Sequence, residues 1–117
     1  LEAKAHWLGS DLNSFERRMV EIGRSLAGNP KIVMLDEPGG GLSNIETDAL
    51  RGVIRRIHAE FGAMTLLIDH DVDLISATCV ETMVLDFGSL IAHGPTATVL
   101  ADPKVKSAYL GDEEIAA

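Results

Sequence analysis

From Asn13 onward the apolar residues recur at helical spacing: Phe15, Met19, Ile22, Gly23 and Leu26 share one face, while Glu16, Arg17, Arg18, Glu21 and Arg24 take the others. That pattern predicts an amphipathic helix. Asn13 followed three residues later by Glu16 is a capping-box signature at its start, and Gly28-Asn29-Pro30 stops it. The period then changes. Lys31-Ile32-Val33-Met34-Leu35-Asp36 is a continuous apolar run closed by a carboxylate, as expected of a strand buried on both faces. Gly39-Gly40-Gly41 supplies a flexible turn. A second capping box, Ser43 with Glu46, opens a long helix whose Ile45, Ala49, Leu50, Val53, Ile54 and Ile57 form one apolar stripe, and Gly62 ends it.

Met64-Thr65-Leu66-Leu67-Ile68-Asp69 repeats the sequence of apolar strand and polar end, and Asp71 to Thr78 has the length of about two helical turns. Strand and helix alternate, which predicts an α/β fold with a parallel sheet. Thr82 to Phe87 and Ser89 to Ala92, joined at Gly88, read as a closing strand pair. Pro95 to Ala101 and Pro103 to Tyr109 read as two small helices, the second with Asp102 as N-cap and Pro103 at its first position. There is no internal repeat and no low-complexity segment.

Composition bounds what this pattern can be. The chain has 117 residues, 46% hydrophobic, with 10 Lys+Arg against 18 Asp+Glu and a formal charge of -8. The length predicts one globular unit with one core. The acidic balance offers no footprint for a polyanion, so nucleic acid is not an expected partner. No apolar run approaches the ~18 residues of a membrane span. The first residues lack a secretory leader and Cys79 is the single cysteine, which predicts a reducing, cytoplasmic setting and a structural rather than nucleophilic role for that thiol.

The sharpest candidate for chemistry is Ile32-Val33-Met34-Leu35-Asp36-Glu37-Pro38. A strand of this kind delivers two adjacent carboxylates to the carboxyl edge of a sheet, where open α/β folds bind ligands. In phosphoryl transfer one such carboxylate holds Mg²⁺ and its neighbour polarises the attacking water. The plainer reading is a strand that ends in solvent. A second apolar strand ends in Asp69-His70-Asp71, placing an imidazole at what should be the same edge, where it would donate to a terminal phosphate oxygen. A surface histidine beside acids is the plainer alternative there. His6, His58 and His93 stand at no spacing that completes a metal-ligand set.

KIVMLDEPGGGLSNIET, then TLLIDHDVDLI, then VLDFGSLIAHG, resembles the C-terminal half of an ATP-binding cassette (ABC) ATPase, over nearly the whole chain. The resemblance implies a partial P-loop NTPase of RecA-like fold, a mostly parallel sheet flanked by helices and lacking the phosphate-loop strand. It makes Asp36 the Walker B aspartate that holds the metal, Glu37 the catalytic base and His70 the switch histidine. Gly40 to Ser43 becomes the loop that speaks across the nucleotide sandwich, with Gly41 and Ser43 as nucleotide contacts. The tail, His93-Gly94-Pro95-Thr96 through ADPKVKSAYLGDEE, resembles that of cassettes serving branched-chain amino-acid importers, with Gly-Pro-Thr where those have Gly-Thr-Pro. The implied segments are 1–28, the end of a helical subdomain; 29–94, part of the core; and 95–117, the C-terminal extension.

Two departures modify that likeness. The family signature Leu-Ser-x-Gly-Glu/Gln corresponds to Leu12-Asn13-Ser14-Phe15-Glu16, where Asn13 replaces the serine and Phe15 the glycine, or a one-residue slip makes Ser14 the serine and leaves no glycine. A side chain at the glycine position obstructs the close backbone approach to phosphate. The chain also contains no Gly-Lys dipeptide, so it has no G-x-x-x-x-G-K-[ST] loop. These 117 residues alone are therefore expected to be inactive and to bind ATP no more tightly than the millimolar range.

In the parent the likeness implies ATP and Mg²⁺, a second cassette subunit and transmembrane permease subunits, at the inner face of the cell membrane. The alternative is a degenerate or truncated remnant acting as a non-catalytic interaction module. An unrelated metal-dependent phosphohydrolase is the third reading, set aside because motif order already accounts for Asp36, Glu37 and His70. A sheet without its phosphate-loop strand is expected to shift strands to close the gap or to self-associate through the raw edges.

Overall fold

The computed structural model describes residues 1–110. Two short 3₁₀ turns, Glu2–Lys4 and Gly9–Asp11, precede α1 (Ser14–Ala27); β1 (Ile32–Asp36), α2 (Asn44–Phe61) and β2 (Met64–Ile68) follow. Then come α3 (Val72–Thr78), β3 (Glu81–Asp86), β4 (Ser89–Pro95), α4 (Thr96–Leu100) and α5 (Pro103–Val105), which runs into a single π-helical turn, Lys106–Leu110. Every regular element expected from the sequence is present. The chain forms two compact units, Leu1–Ile68 and Asp69–Ala117, rather than the single one its length suggested.

In the first unit β1 and β2 pair in parallel, with Ile32 opposite Met64 and Asp36 opposite Ile68. The helices begin where their caps dictate. Asn13 accepts from the Glu16 amide at 2.8 Å while Glu16 accepts from the Asn13 amide at 2.9 Å, and Ser43 and Glu46 make the same reciprocal pair. Gly62 closes α2 in the left-handed conformation at φ +66°, its amide donating to the His58 carbonyl. At the end of α1 that conformation falls to Asn29, at φ +51°.

Leu50, Ile54 and Ile57 of α2 are buried, as are Ile22 of α1, Val33 and Leu35 of β1, and Ala63. Ile45 and Ala49, expected on the same stripe of α2, are exposed, Ile45 by 83%. The reason is angular: at 100° per residue Ile45 lies about 140° around the helix from Leu50. The expectation that β1 is buried on both faces also fails. Val33 and Leu35 face inward, but Met34 is 74% exposed and Ile32 is exposed beside it. On β2, Met64, Leu66 and Ile68 are exposed in the same alternation. The composition is that of a sheet with two covered faces, and among the described residues only the face of Val33 and Leu35 is buried.

In the second unit β3 and β4 form an antiparallel ribbon turned at Phe87-Gly88, both left-handed, with a bulge between Val84 and Leu85. Val84, Val99 and Val105 make its core with Ile91, Ala92 and Leu100. The Thr96 hydroxyl, buried, meets that of Thr82 at 2.7 Å. Asp102 caps α5 by accepting from the Lys104 amide, and the Tyr109 hydroxyl donates to the Leu85 carbonyl. The Leu110 side chain and the Gly111-Asp112-Glu113-Glu114 end of the tail motif lie outside the described residues.

The four strands are therefore two separate two-stranded sheets, one parallel and one antiparallel. The α/β class and the parallel crossover hold, but among the described residues the strands form these two sheets and not one mostly parallel sheet. Leu50→Ala removes a fully buried side chain and is expected to lower stability by about 3 kcal/mol, whereas Ile45→Ala changes it by no more than about 0.5 kcal/mol. Urea denaturation followed by helical circular dichroism checks both, and equal losses would refute this assignment of the core face.

Candidate active site

Asp36 is the last residue of β1 and its side chain is exposed at the carboxyl end of the strand. The ladder continues one residue further: the Glu37 amide donates to the Ile68 carbonyl at 2.6 Å. Glu37 then adopts φ +47°, a left-handed conformation that costs a non-glycine residue roughly 1–2 kcal/mol. The chain turns sharply there, and Pro38 is buried directly behind it. The Gly40 amide returns to the Glu37 carbonyl at 3.2 Å and the Leu42 amide to the Gly39 carbonyl at 3.3 Å. Gly41 sits at φ +75° with open space where a Cβ would point, so backbone conformation rather than crowding requires the glycine. Asp36 and Glu37 are thus consecutive residues at one strand end whose backbones differ in kind, extended at the first and left-handed at the second.

Ser43 lies two residues beyond Gly41 and caps α2, with the Thr47 hydroxyl also donating to its carbonyl at 2.9 Å. Asn13 and Ser14 occupy the N-cap and first position of α1, in the same unit as Asp36, Glu37, Gly41 and Ser43. The Asn13 side-chain oxygen is engaged by the cap. Phe15 lines a groove of about 540 Å³ with Met19, Ile22, Val53 and Ile57. Lys4 forms an ion pair with Glu16, and the Lys4 ammonium, followed by the Asn13 amide, holds the Glu16 carboxyl below its ordinary value of 4.5. The same ammonium stands 4.6 Å from the centre of the Trp7 ring.

His70 belongs to the second unit. Its ring is exposed, and its Nδ1 stands 3.7 Å from an oxygen of Asp69, whose side chain is only 2% exposed. That Asp69 carboxylate also accepts from the Asp71 amide at 3.0 Å, and Asp71 caps α3 by accepting from the Leu74 amide. In the segment Asp69-His70-Asp71 both acids accept from backbone amides while the His70 ring faces outward. His93, expected to complete no ligand set, meets Glu81 at 2.5 Å across the β3–β4 ribbon. Among the described residues no group of three or more His, Cys, Asp or Glu side chains is arranged to hold a metal ion by itself, and no helix is long and apolar enough to cross a membrane.

Two features went unnoticed in the sequence. One is the left-handed Glu37, for which a run of glycines two residues later is no signal. The other is Arg18, assigned to a solvated face but partly buried, with Nη1 donating to the Pro38 carbonyl. The signal existed: Arg18 is three residues after Phe15 and four before Ile22, which places it on the apolar stripe.

A βαβ crossover carrying Asp-Glu at the end of its first strand defines the class as an α/β protein built around a strand-end carboxylate pair. The particular family follows from comparison. The model of a family described as branched-chain amino acid ATP-binding cassette transporter matches residues 89–115. The chain is 39% identical over 106 residues to the lipopolysaccharide export system ATP-binding protein LptB of Escherichia coli (strain K12), covering 91% of this chain and 44% of that one. It is 34% identical over 124 residues to the high-affinity branched-chain amino acid transport ATP-binding protein BraF of Pseudomonas aeruginosa, covering 96% and 49%.

Among solved structures, the ADP conformation of MJ1267, an ATP-binding cassette of an ABC transporter, superposes with a TM-score of 0.76 at 31% identity, over 86% of this chain and 41% of that one. The chain belongs to the ATPase subunits of ABC transporters and carries the C-terminal portion of their fold. It spans about half the length of the curated relatives it matches.

Glu37→Gly relieves the left-handed backbone and is expected to raise stability by about 0.5–1 kcal/mol after the extra entropy of glycine is subtracted. Glu37→Ala keeps the strain and should give no such gain. Urea midpoints of the two variants decide: equal stabilities would show that Glu37 is not held at positive φ.

Proposed function

We propose that this chain is the Walker B end of the ATP-hydrolysing subunit of an ABC importer for branched-chain amino acids. The observation that carries the chemistry is the pairing of an exposed Asp36 with a Glu37 fixed one residue past the ladder. The match of residues 89–115 and the likeness to BraF favour the branched-chain type over the exporter type represented by LptB. The three segments 1–28, 29–94 and 95–117 then serve as signature helix, catalytic core portion and regulatory tail.

A lone strand-end carboxylate suits Mg²⁺, which keeps most of its water and phosphate oxygens and takes one or two protein carboxylates. Asp36 is the residue that would hold it, and the cation would neutralise charge on the transferring phosphoryl group. Glu37 accepts a proton from the attacking water as its oxygen bonds to the γ-phosphorus and the bridging P–O bond to ADP breaks. His70 donates to a γ-phosphate oxygen and so offsets the charge that builds there. Asn13, Ser14, Gly41 and Ser43 contact nucleotide across the interface with a second cassette subunit. Permease subunits in the membrane receive the motion, which places the protein at the inner face of that membrane.

A second reading, a non-catalytic interaction module, is favoured by Phe15 at the signature glycine and by the absence of any Gly-Lys in these residues. The coding frame upstream of Leu1 separates the two. The polypeptide it encodes is expected to contain a phosphate loop, to hydrolyse Mg·ATP, and to lose at least ~10²-fold in kcat with Glu37→Gln. A frame without that loop, or a Glu37→Gln enzyme of unchanged rate, overturns the ATPase reading.

The 117 residues alone leave strand edges and an apolar sheet face uncovered, and are expected to self-associate. Light scattering on the eluting peak of a sizing column should give a mass above that of one chain. A monomer at all concentrations up to the solubility limit contradicts this.

A further inference from the structure

Arg17 and Arg18 are neighbours on α1 with separate destinations. Arg17 points back along the chain, its Nε donating to the Gly9 carbonyl at 3.1 Å and its Nη2 to the Ser10 carbonyl at 3.1 Å. Arg18 reaches forward twenty residues and donates from Nη1 to the carbonyl of Pro38. That carbonyl belongs to the Pro38–Gly39 peptide, one residue beyond the peptide that joins Glu37 to Pro38. On the other side of Glu37, its own amide is held by the Ile68 carbonyl. The Glu37-Pro38 pair is therefore bracketed by two hydrogen bonds from different elements, one on the Glu37 amide from the sheet and one on the Pro38 carbonyl from α1.

The bracket has a physical purpose. A left-handed glutamate is unfavourable and persists only where its surroundings over-determine it. The residues that follow, Gly39, Gly40 and Gly41, have no side chains with which to anchor the turn. Pro38 is buried and cannot donate, so the Arg18 guanidinium supplies an anchor through the carbonyl instead. A planar guanidinium with a fixed fork of donors orients that peptide more tightly than a point-charge ammonium would.

We propose that Arg18 is a positioning residue: through the Pro38 carbonyl it anchors the far side of the turn at Glu37, and with it the backbone from which the Glu37 side chain projects. The proposal rests on the reading of Glu37 as the base, and α1 becomes the element that carries the Glu37 turn with it. Because α1 also begins at Asn13 and Ser14, any displacement of that helix N-terminus is transmitted to Glu37 by one hydrogen bond.

The test has two arms, so that failure of the ATPase reading is distinguishable from failure of the tie. In the 117-residue chain, hydrogen exchange of the Gly40 and Leu42 amides should quicken at least ~10-fold in Arg18→Ala, with amides inside α2 unchanged. Arg18→Lys should restore part of the protection, and Arg17→Ala should leave these two amides as they are. In the hydrolysing polypeptide, Arg18→Ala should lower kcat ~10–100-fold with KM for Mg·ATP unchanged, since a misplaced base slows chemistry without weakening binding. Unchanged exchange at Gly40 and Leu42 overturns the tie, and so does an Arg17→Ala chain that loosens them equally. A raised KM at constant kcat overturns the positioning role. If the longer polypeptide does not hydrolyse ATP, the proposed function fails and the exchange arm alone judges the tie.

Discussion

The parallel pairing of β1 with β2 sets what the first unit can do, because it decides where the chain after each strand emerges. Five registered pairs bring Asp36 level with Ile68, and the Ile68 carbonyl then captures the amide of Glu37. A crossover connection is required to bring two parallel strands side by side, and α2 supplies it. The turn from β1 into α2 must begin within a few residues of Asp36, since Ser43 already caps the helix. A left-handed residue followed by glycines makes that reversal in a short span. The backbone strain at Glu37 is thus a consequence of the connection.

The two units also show what a cassette needs beyond these residues. Val33, Leu35, Leu50, Ile54 and Ile57 are buried, which is enough for one face of a small sheet. Met34, Met64, Leu66 and Ile68 are apolar and exposed. Their chemistry fits a layer that the longer relatives, about twice this length, have the residues to provide. The ribbon of β3 and β4 repeats the pattern with Met83, Leu85 and Leu90 exposed. A continuous apolar run such as Ile32 to Leu35 is therefore compatible with a strand buried on one face, and alternation of burial along it is visible only in the structure.

Much of the fold was readable because its local signals agree. Asn13 with Glu16, Ser43 with Glu46, Gly62, Asp71 and Asp102 each mark an element boundary that the structure places within a residue or so. What was not readable depends on which groups meet across the chain. Nothing local distinguishes Arg18 from Arg17 as a charge, and only its angular position on the stripe separates a side chain that reaches Pro38 from one that turns back to Gly9 and Ser10. Ile45 illustrates the converse, an apolar residue near the stripe in sequence but well around the helix from it. The left-handed backbone of Glu37 has no compositional signature, because glycine, the usual marker, appears two residues too late. Among the site candidates, the carboxylate pair was legible because two acids at the end of an apolar run are unusual, while the direction of either side chain was not.

The hydrogen bonding of β1 to β2 reaches one residue past Asp36 and holds Glu37 by its backbone amide. Amide hydrogen exchange of the isotope-labelled chain, resolved by nuclear magnetic resonance, reads this directly. The Glu37 amide is expected to exchange at least ~10²-fold more slowly than an unstructured peptide, comparable with the ladder amides of β1. Exchange of the Glu37 amide at the unprotected rate, with the amides of β1 still slow, would contradict it.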